Sequence, residues 1–150
     1  MTLPSQLAGV VEEFTAVPAE MRVEVLLEYA GKVPPLPEGL AEDGAMERVD
    51  ECQTPFFLAA RIDEDGRVRL HFDCPTEAPT QRAFAGVLTE GLDGARPEEV
   101  LAVPSDLPSR LGLGEAISML RLRGFQAILA RLRRQVELAG ADPDKGLGAR

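Results

Sequence analysis

Phe56-Phe57-Leu58-Ala59-Ala60-Arg61-Ile62, Asp63-Glu64-Asp65-Gly66 and Arg67-Val68-Arg69-Leu70-His71-Phe72 follow one another without a gap, and this stretch decides the fold. In the third piece Val68, Leu70 and Phe72 alternate with Arg67, Arg69 and His71, the two-residue period of a strand with one apolar and one wet face. In the first piece Phe56, Leu58, Ala60 and Ile62 alternate with Phe57, Ala59 and Arg61. The polar connection ends in Gly66, so the spacing predicts an antiparallel hairpin. A shorter strand around Met46 to Val49 is expected as the third member of the sheet. Such a sheet must cover its apolar face, and helices are available on both sides of it in the chain.

Upstream, Leu7, Val10, Val11 and Phe14 recur at helical spacing. Pro18 opens a second helical stretch with Met21, Val25, Leu26 and Tyr29 on its apolar face, ending at Gly31. Val33-Pro34-Pro35-Leu36-Pro37-Glu38-Gly39 can be neither helix nor central strand and reads as a stiff surface loop. An inter-domain linker is the rival reading, disfavoured because the preceding segment is too short for a core of its own. Downstream, Thr76 and Pro79 mark a helix start, with Phe84, Val87 and Leu88 on its apolar face up to Gly91–Gly94. Pro97-Glu98-Glu99-Val100-Leu101 begins a short helix with acids in its first turn, where the helix dipole favours them. The clearest helix is expected from about Leu113 to Leu138, with Ile117, Leu120, Phe125, Ile128, Leu129, Leu132 and Val136 on one stripe. The expectation is an α+β fold: one domain over 1–139, with a three-stranded antiparallel sheet covered by N-terminal and C-terminal helices, and a flexible tail over 140–150.

The chain has 150 residues, 45% hydrophobic and 27% charged, which is globular composition. Its 16 Lys and Arg against 25 Asp and Glu leave a net charge of −9, which argues against nucleic acid as a partner. No apolar run approaches the ~20 residues of a membrane span, so no membrane association is expected. Met1-Thr2-Leu3-Pro4 has neither the basic nor the apolar region of an export signal, and a cytoplasmic location is expected. Cys52, His71 and Cys74 are too few for a closed zinc site, and no metal is expected. No GxGxxG, Walker loop, HExxH or GxSxG occurs, so any chemistry rests on a thiol or on carboxylates.

Cys52 lies in Val49-Asp50-Glu51-Cys52-Gln53-Thr54-Pro55-Phe56-Phe57, between the short strand and the hairpin. A thiolate at such a turn is a usable nucleophile, although free cysteines are often inert core filler. Asp50 and Glu51 would raise its pKa, not lower it. Cys74 beside Pro75 could act as a resolving thiol, and a Cys52–His71 dyad would make a thiol hydrolase, but His71 alternates away from the expected core. Arg121 falls within or beside the apolar stripe of the last helix, where a charge needs a partner or must reach the surface. Arg121, Arg123, Arg131, Arg133 and Arg134 make that helix basic, a solvated face or a docking surface. Gly124 within it permits close helix packing.

Glu51-Cys52-Gln53-Thr54-Pro55 resembles the reactive-cysteine loop of the SufE family, the sulfur acceptors of cysteine desulfurases, whose common form is Cys-Gln-Ser followed by an apolar strand. Two further segments are similar, in the same order: Ala95-Arg96-Pro97-Glu98-Glu99-Val100-Leu101, and Gly112-Leu113 followed by Arg121-Leu122-Arg123-Gly124-Phe125-Gln126-Ala127-Ile128. The resemblance runs from Leu7 to Leu138. It implies the SufE/NifU-like two-layer fold and no metal or organic cofactor of the chain's own. It also implies that Cys52 accepts persulfide sulfur from a pyridoxal-phosphate cysteine desulfurase and passes it to an iron–sulfur scaffold protein. Glu51, Gln53 and Arg121 would bind the partner or support the thiol. Such a protein is an accessory to an enzyme rather than an independent one. Thr54 in place of Ser keeps a hydroxyl, while Pro55 and Phe56-Phe57 depart from the family run and place a strand start or bulge there. A non-catalytic interaction module of this fold, recognising a partner through Pro34–Gly39 or the basic helix, and a Cys52/Cys74 redox protein are the alternatives.

Overall fold

A computed structural model describes residues 3–42 and 44–141. The hairpin forms: β2, Phe57–Ile62, pairs antiparallel with β3, Val68–Asp73, from Phe57 opposite Asp73 to Ile62 opposite Val68. Strand β3 alternates as expected, whereas in β2 Leu58, Ala59 and Ala60 are all buried, because both of its faces are covered there. Gly66 takes φ +78°, a left-handed conformation costly for any residue with a Cβ. The third strand is short: β1, Glu47–Arg48, pairs with Leu58 and Phe57, giving the sheet order β1-β2-β3.

Side chains and loop backbone finish the two open edges of this sheet. On the β2 edge past the end of β1, the buried Gln135 side chain stands in for a strand, its Oε1 accepting the Ala60 N–H at 2.7 Å. On the far edge, Val68 N–H donates to the Ala95 carbonyl at 2.8 Å, Gly94 N–H to the Val68 carbonyl at 2.8 Å, and Leu70 N–H to Asp93 Oδ1 at 2.9 Å. Backbone groups that burial would otherwise leave unpaired are satisfied in this way.

The helices are α1 (Ser5–Thr15), α2 (Arg22–Glu28), α3 (Pro79–Leu92), α4 (Pro97–Leu101), α5 (Leu107–Arg110) and α6 (Met119–Ala141). Short 3-10 turns at Ala19–Met21 and Tyr29–Lys32 flank α2. The second N-terminal helix is therefore shorter than its apolar spacing suggests, and Met21, expected on its buried face, sits in the turn, 44% exposed. α6 packs on β2, and the stacked Phe84 and Phe125 rings, 4.6 Å apart, join it to α3. The N-terminal helices pack chiefly on α3 rather than on the sheet. That packing is close: a Cβ at Gly86 would overlap the Tyr29 carbonyl oxygen, so only glycine allows the helices to meet there.

The last helix starts later than expected. Leu113 is fully buried, but from a turn after Gly112 at φ +73°, where its carbonyl accepts the N–H groups of Ala116 and Ile117. Leu120, placed on the buried stripe by its spacing, is 47% exposed, because the helical phase is reset at Met119 and burial begins at Gly124 and Phe125. Helix α6 continues through Ala141, past the expected domain end at 139; the remainder of the expected tail, 142–150, lies outside the described residues. The proline-rich segment is anchored by buried Val33 and Leu40, and its prolines line a 350 Å³ cleft against Leu70, His71 and Phe72 of β3.

Candidate functional site

The connection between β1 and β2 is closed at its base and turned in at its tip. Val49 N–H donates to the Phe56 carbonyl at 2.8 Å, and both side chains are fully buried. Within that base, Cys52 N–H donates to the Val49 carbonyl at 3.2 Å, forming a turn over Val49–Cys52. Asp50, Glu51 and Gln53 are exposed, whereas Cys52 is only 7% exposed. The sulfur is therefore tucked inward from a loop whose charged and amide side chains face water.

The sulfur faces α6 at Gly124. A Cβ built on that glycine would stand 3.5 Å from Cys52 Sγ, an ordinary van der Waals contact, so the sulfur packs directly against this turn of α6. Burial pushes the Cys52 thiol up to about 11, the Glu51 carboxylate adds to the rise, and the Arg131 guanidinium opposes it. At pH 7, well below that value, the resting thiol is almost entirely protonated. The expected charge effect of Glu51 is present, but desolvation is the larger cause.

Arg131 is the residue that the sequence reading left undistinguished among five arginines. From α6 its Nη2 donates to Glu51 Oε1 at 2.7 Å, while Nη1 donates to Glu47 Oε2 at 2.9 Å and to the Arg48 carbonyl at 3.2 Å. It thus holds β1 and the residue next to the thiol at once. Glu47 is further held by Arg134 and by Gln135 Nε2, which donates to Glu47 Oε1 at 2.9 Å. Burial works against the Glu47 charge, but the hydrogen bonds from Gln135, Arg134 and Arg131 hold its carboxyl below the usual range. The backbone N–H and Arg131 lower the Glu51 carboxyl as well. An exposed pair such as Arg131–Glu51 contributes about 0.2–1 kcal/mol. A signal existed: Arg131 lies seven residues after Gly124, on the same helix face.

Arg121 stands apart from the thiol's electrostatics. It is exposed in the first turn of α6, beside exposed Leu120 and near exposed Arg123, and its guanidinium has no ion-pair partner among the described residues. Its backbone N–H donates to Ser118 Oγ at 3.2 Å, part of the helix cap. It is not among the charges that act on Cys52, in contrast to Arg131. Gln53 is exposed and makes no side-chain hydrogen bond among the described residues. Thr54 Oγ1 is buried without a hydrogen-bond partner among the described residues.

Cys74, just beyond β3, is 6% exposed, and its carbonyl accepts from Arg82 Nη1 at 2.8 Å. Burial raises its pKa, with Arg82 acting in the opposite direction. Both cysteines are free thiols. His71 lies elsewhere: it lines the proline cleft, burial lowers its pKa, and the charges acting on it are Arg61 and Asp93 rather than a Cys52 thiolate. Among the described residues no group of three His, Cys, Asp or Glu side chains is arranged to hold a metal ion. Two shallow hollows flank the loop, one of 210 Å³ lined by Pro55, Phe57, Asp73, Cys74 and Pro75, the other of 300 Å³ between Glu51 and the α6 residues Ala127, Ala130, Arg131 and Arg134.

Comparison with known proteins bears on the family. The SufE family profile, described as an Fe-S metabolism associated domain, matches residues 8–136. An uncharacterized SufE-like protein of Mycobacterium tuberculosis is 49% identical over 138 residues, covering 92% of this chain and 96% of the relative. The cysteine desulfuration protein SufE of Plasmodium vivax is 23% identical over 134 residues, 87% of this chain and 52% of the relative. The solution structure of a hypothetical protein from Thermus thermophilus superposes with a TM-score of 0.83 at 50% identity, covering 94% of this chain and 100% of that one. With its three-stranded antiparallel sheet, its cysteine loop turned under the last helix and a profile match almost end to end, the chain belongs to the SufE family.

Proposed function

We propose that the chain is a sulfur acceptor in iron–sulfur metabolism, taking persulfide sulfur from a cysteine desulfurase on Cys52 and handing it to a scaffold protein. The observation that carries this reading is the position of Cys52: a free thiol at the tip of a short loop, with exposed neighbours on both sides, in a SufE-family chain. The name of the Plasmodium vivax relative, a cysteine desulfuration protein, supports the same reading.

The chemistry is thiol–sulfane exchange. The Cys52 thiolate attacks the terminal sulfur of the donor's persulfide. A new S–S bond forms at Cys52 as the donor's S–S bond breaks, and the donor leaves as a thiolate that takes up the proton Cys52 has lost. No net oxidation occurs. A thiol pushed up to about 11 is almost entirely protonated in the resting protein, which protects it from stray oxidation, and delivery requires the loop to open or the partner to supply positive potential. Arg121 and Arg123, exposed on the first turns of α6 on the helix that covers Cys52, suit docking to an acidic partner surface.

Incubation with a cysteine desulfurase, pyridoxal phosphate and cysteine, followed by mass spectrometry, tests the proposal. An adduct of about 32 Da, one sulfur atom, on Cys52 is expected. Cys52→Ser should abolish both the adduct and any stimulation of the desulfurase while folding is retained. Undiminished stimulation by that variant would overturn the assignment.

A further inference from the structure

We propose that Arg131 is a positioning residue: by bridging Glu51 to β1 it latches the Cys52 turn closed under α6, and release of its bond to Glu51 frees the sulfur to swing outward. The inference deepens the sulfur-acceptor reading and rests on it for its purpose, but its geometry stands independently.

The two halves of the bridge are unequal. Glu47, its side chain 22% exposed, is held by Arg131, Arg134 and Gln135 together, and β1 is also paired to β2. Glu51, its side chain 49% exposed, has Arg131 as its one ion-pair partner among the described residues. Gln53, on the other side of the thiol, makes no side-chain bond among them. Val49–Phe56 pins the base of the loop through a backbone bond and two fully buried side chains. When the Arg131–Glu51 bond breaks, the loop stays anchored at Val49 and Phe56 and at Glu47, and only the short segment carrying Cys52 is released. The 300 Å³ hollow beside Glu51 and Arg131 lies on this side, so a partner that offers a carboxylate to Arg131 could displace Glu51 and open the turn.

A latch and a purely electrostatic role for Arg131 have effects of opposite sign. The charged and titratable groups acting on the Cys52 sulfur are Glu51 on its own loop, Arg131 from α6 and Cys74 beyond β3. Through charge alone, Arg131 favours the Cys52 thiolate, so Arg131→Met would raise the thiol pKa and slow its reaction. As a latch, the same change exposes the sulfur to water, lowers its pKa towards an ordinary value and speeds its reaction.

The test is site-resolved alkylation of the isolated full chain by iodoacetamide across a pH series, with Cys74 as an internal reference. Arg131→Met and Glu51→Gln should each accelerate Cys52 alkylation at pH 7 about two- to fivefold and leave Cys74 unchanged. The double variant should be no faster than the faster single variant, and Arg131→Lys should restore part of the wild-type protection. Raising salt from about 0.05 M to about 1 M should accelerate the wild type but not the variants. A slower or unchanged Cys52 in Arg131→Met, or equal acceleration of Cys74, overturns the latch. Glu51→Asp, at an exposed position, keeps the charge beside the thiol but shortens the reach to Arg131, so acceleration there, which charge alone does not give, keeps the test decisive should Arg131→Met fold poorly. No desulfurase is present, so an open variant that still receives no sulfur from a desulfurase would refute the sulfur-acceptor reading and leave the latch intact.

Discussion

Two loops join neighbouring strands of the same sheet, and they are built on opposite principles. The β2–β3 turn is satisfied by its own residues. Asp63 Oδ1 accepts the N–H groups of Asp65 at 3.0 Å and Arg67 at 2.9 Å, Gly66 N–H donates to the Asp63 carbonyl at 2.9 Å, and Gly66 supplies the left-handed angle. The β1–β2 loop places a thiol inward, leaves Thr54 Oγ1 buried without a partner among the described residues, and is held from across the molecule by Arg131 of α6. A loop restrained by local bonds is always closed. One that adds to its own turn bond, Cys52 N–H to the Val49 carbonyl, and to the local Arg48–Asp50 pair a long-range ion pair at its tip has a contact that a partner can exchange, as the proposed sulfur-acceptor role would require.

The difference can be broken most severely at the base of the cysteine loop. Phe56 is fully buried, with its ring edge-on to Phe72 at a 5.8 Å centroid distance. Phe56→Ala should destabilise the fold by about 3–5 kcal/mol in urea denaturation, far more than any change at the exposed tip. A loss below about 1 kcal/mol would mean that the base does not anchor the loop.

Next in size is the pH response of the thiol. With Cys52 pushed up to about 11, its alkylation rate should climb about tenfold per pH unit and keep climbing past pH 9, where an ordinary thiol levels off. The folded pKa is raised, so the contribution of the buried neutral thiol is fully present below the unfolded value of about 8.5 and is lost as pH rises through the folded value. Alkaline urea melts should therefore show stability falling above about pH 8.5, and Cys52→Ala should remove that part of the fall.

A smaller effect sharpens the contrast from the other turn. Gly66→Ala should cost about 1 kcal/mol, because its φ of +78° penalises a Cβ, and it should leave Cys52 alkylation unchanged. Smallest of all, Gly124→Ala should stabilise α6 by about 0.4–1 kcal/mol, since its Cβ would meet Cys52 Sγ at an ordinary 3.5 Å. Destabilisation measured by the same melts would show that the sulfur seat tolerates no added methyl group.

Much of the architecture was legible because its causes are local. The alternation in Val68–Phe72 requires a strand with one face buried, the polar run ending in Gly66 requires a turn, and Pro97 followed by Glu98 and Glu99 requires a helix start; each stands where it was expected. Helix phase was less legible. Leu113 and Leu120 fit one apolar period on paper, but a turn at Gly112–Ile117 resets it, and of the two alternatives for Arg121, a partner or the surface, the structure takes the surface. Gln135 was hidden for a different reason: a polar residue in an apolar helix face makes sense only once an unpaired strand edge is brought against it.

The amino-acid order by itself determined the hairpin, the short third strand and the position of Cys52 between them, since periodicity and turn chemistry act over a few neighbouring residues. Whether that thiol lies in water or in the core, and which of several arginines stands beside it, only the tertiary structure decided. Burial and ion pairing depend on which distant residues are brought together, and Glu51 meets Arg131, 80 residues away, only after α6 has packed across the sheet.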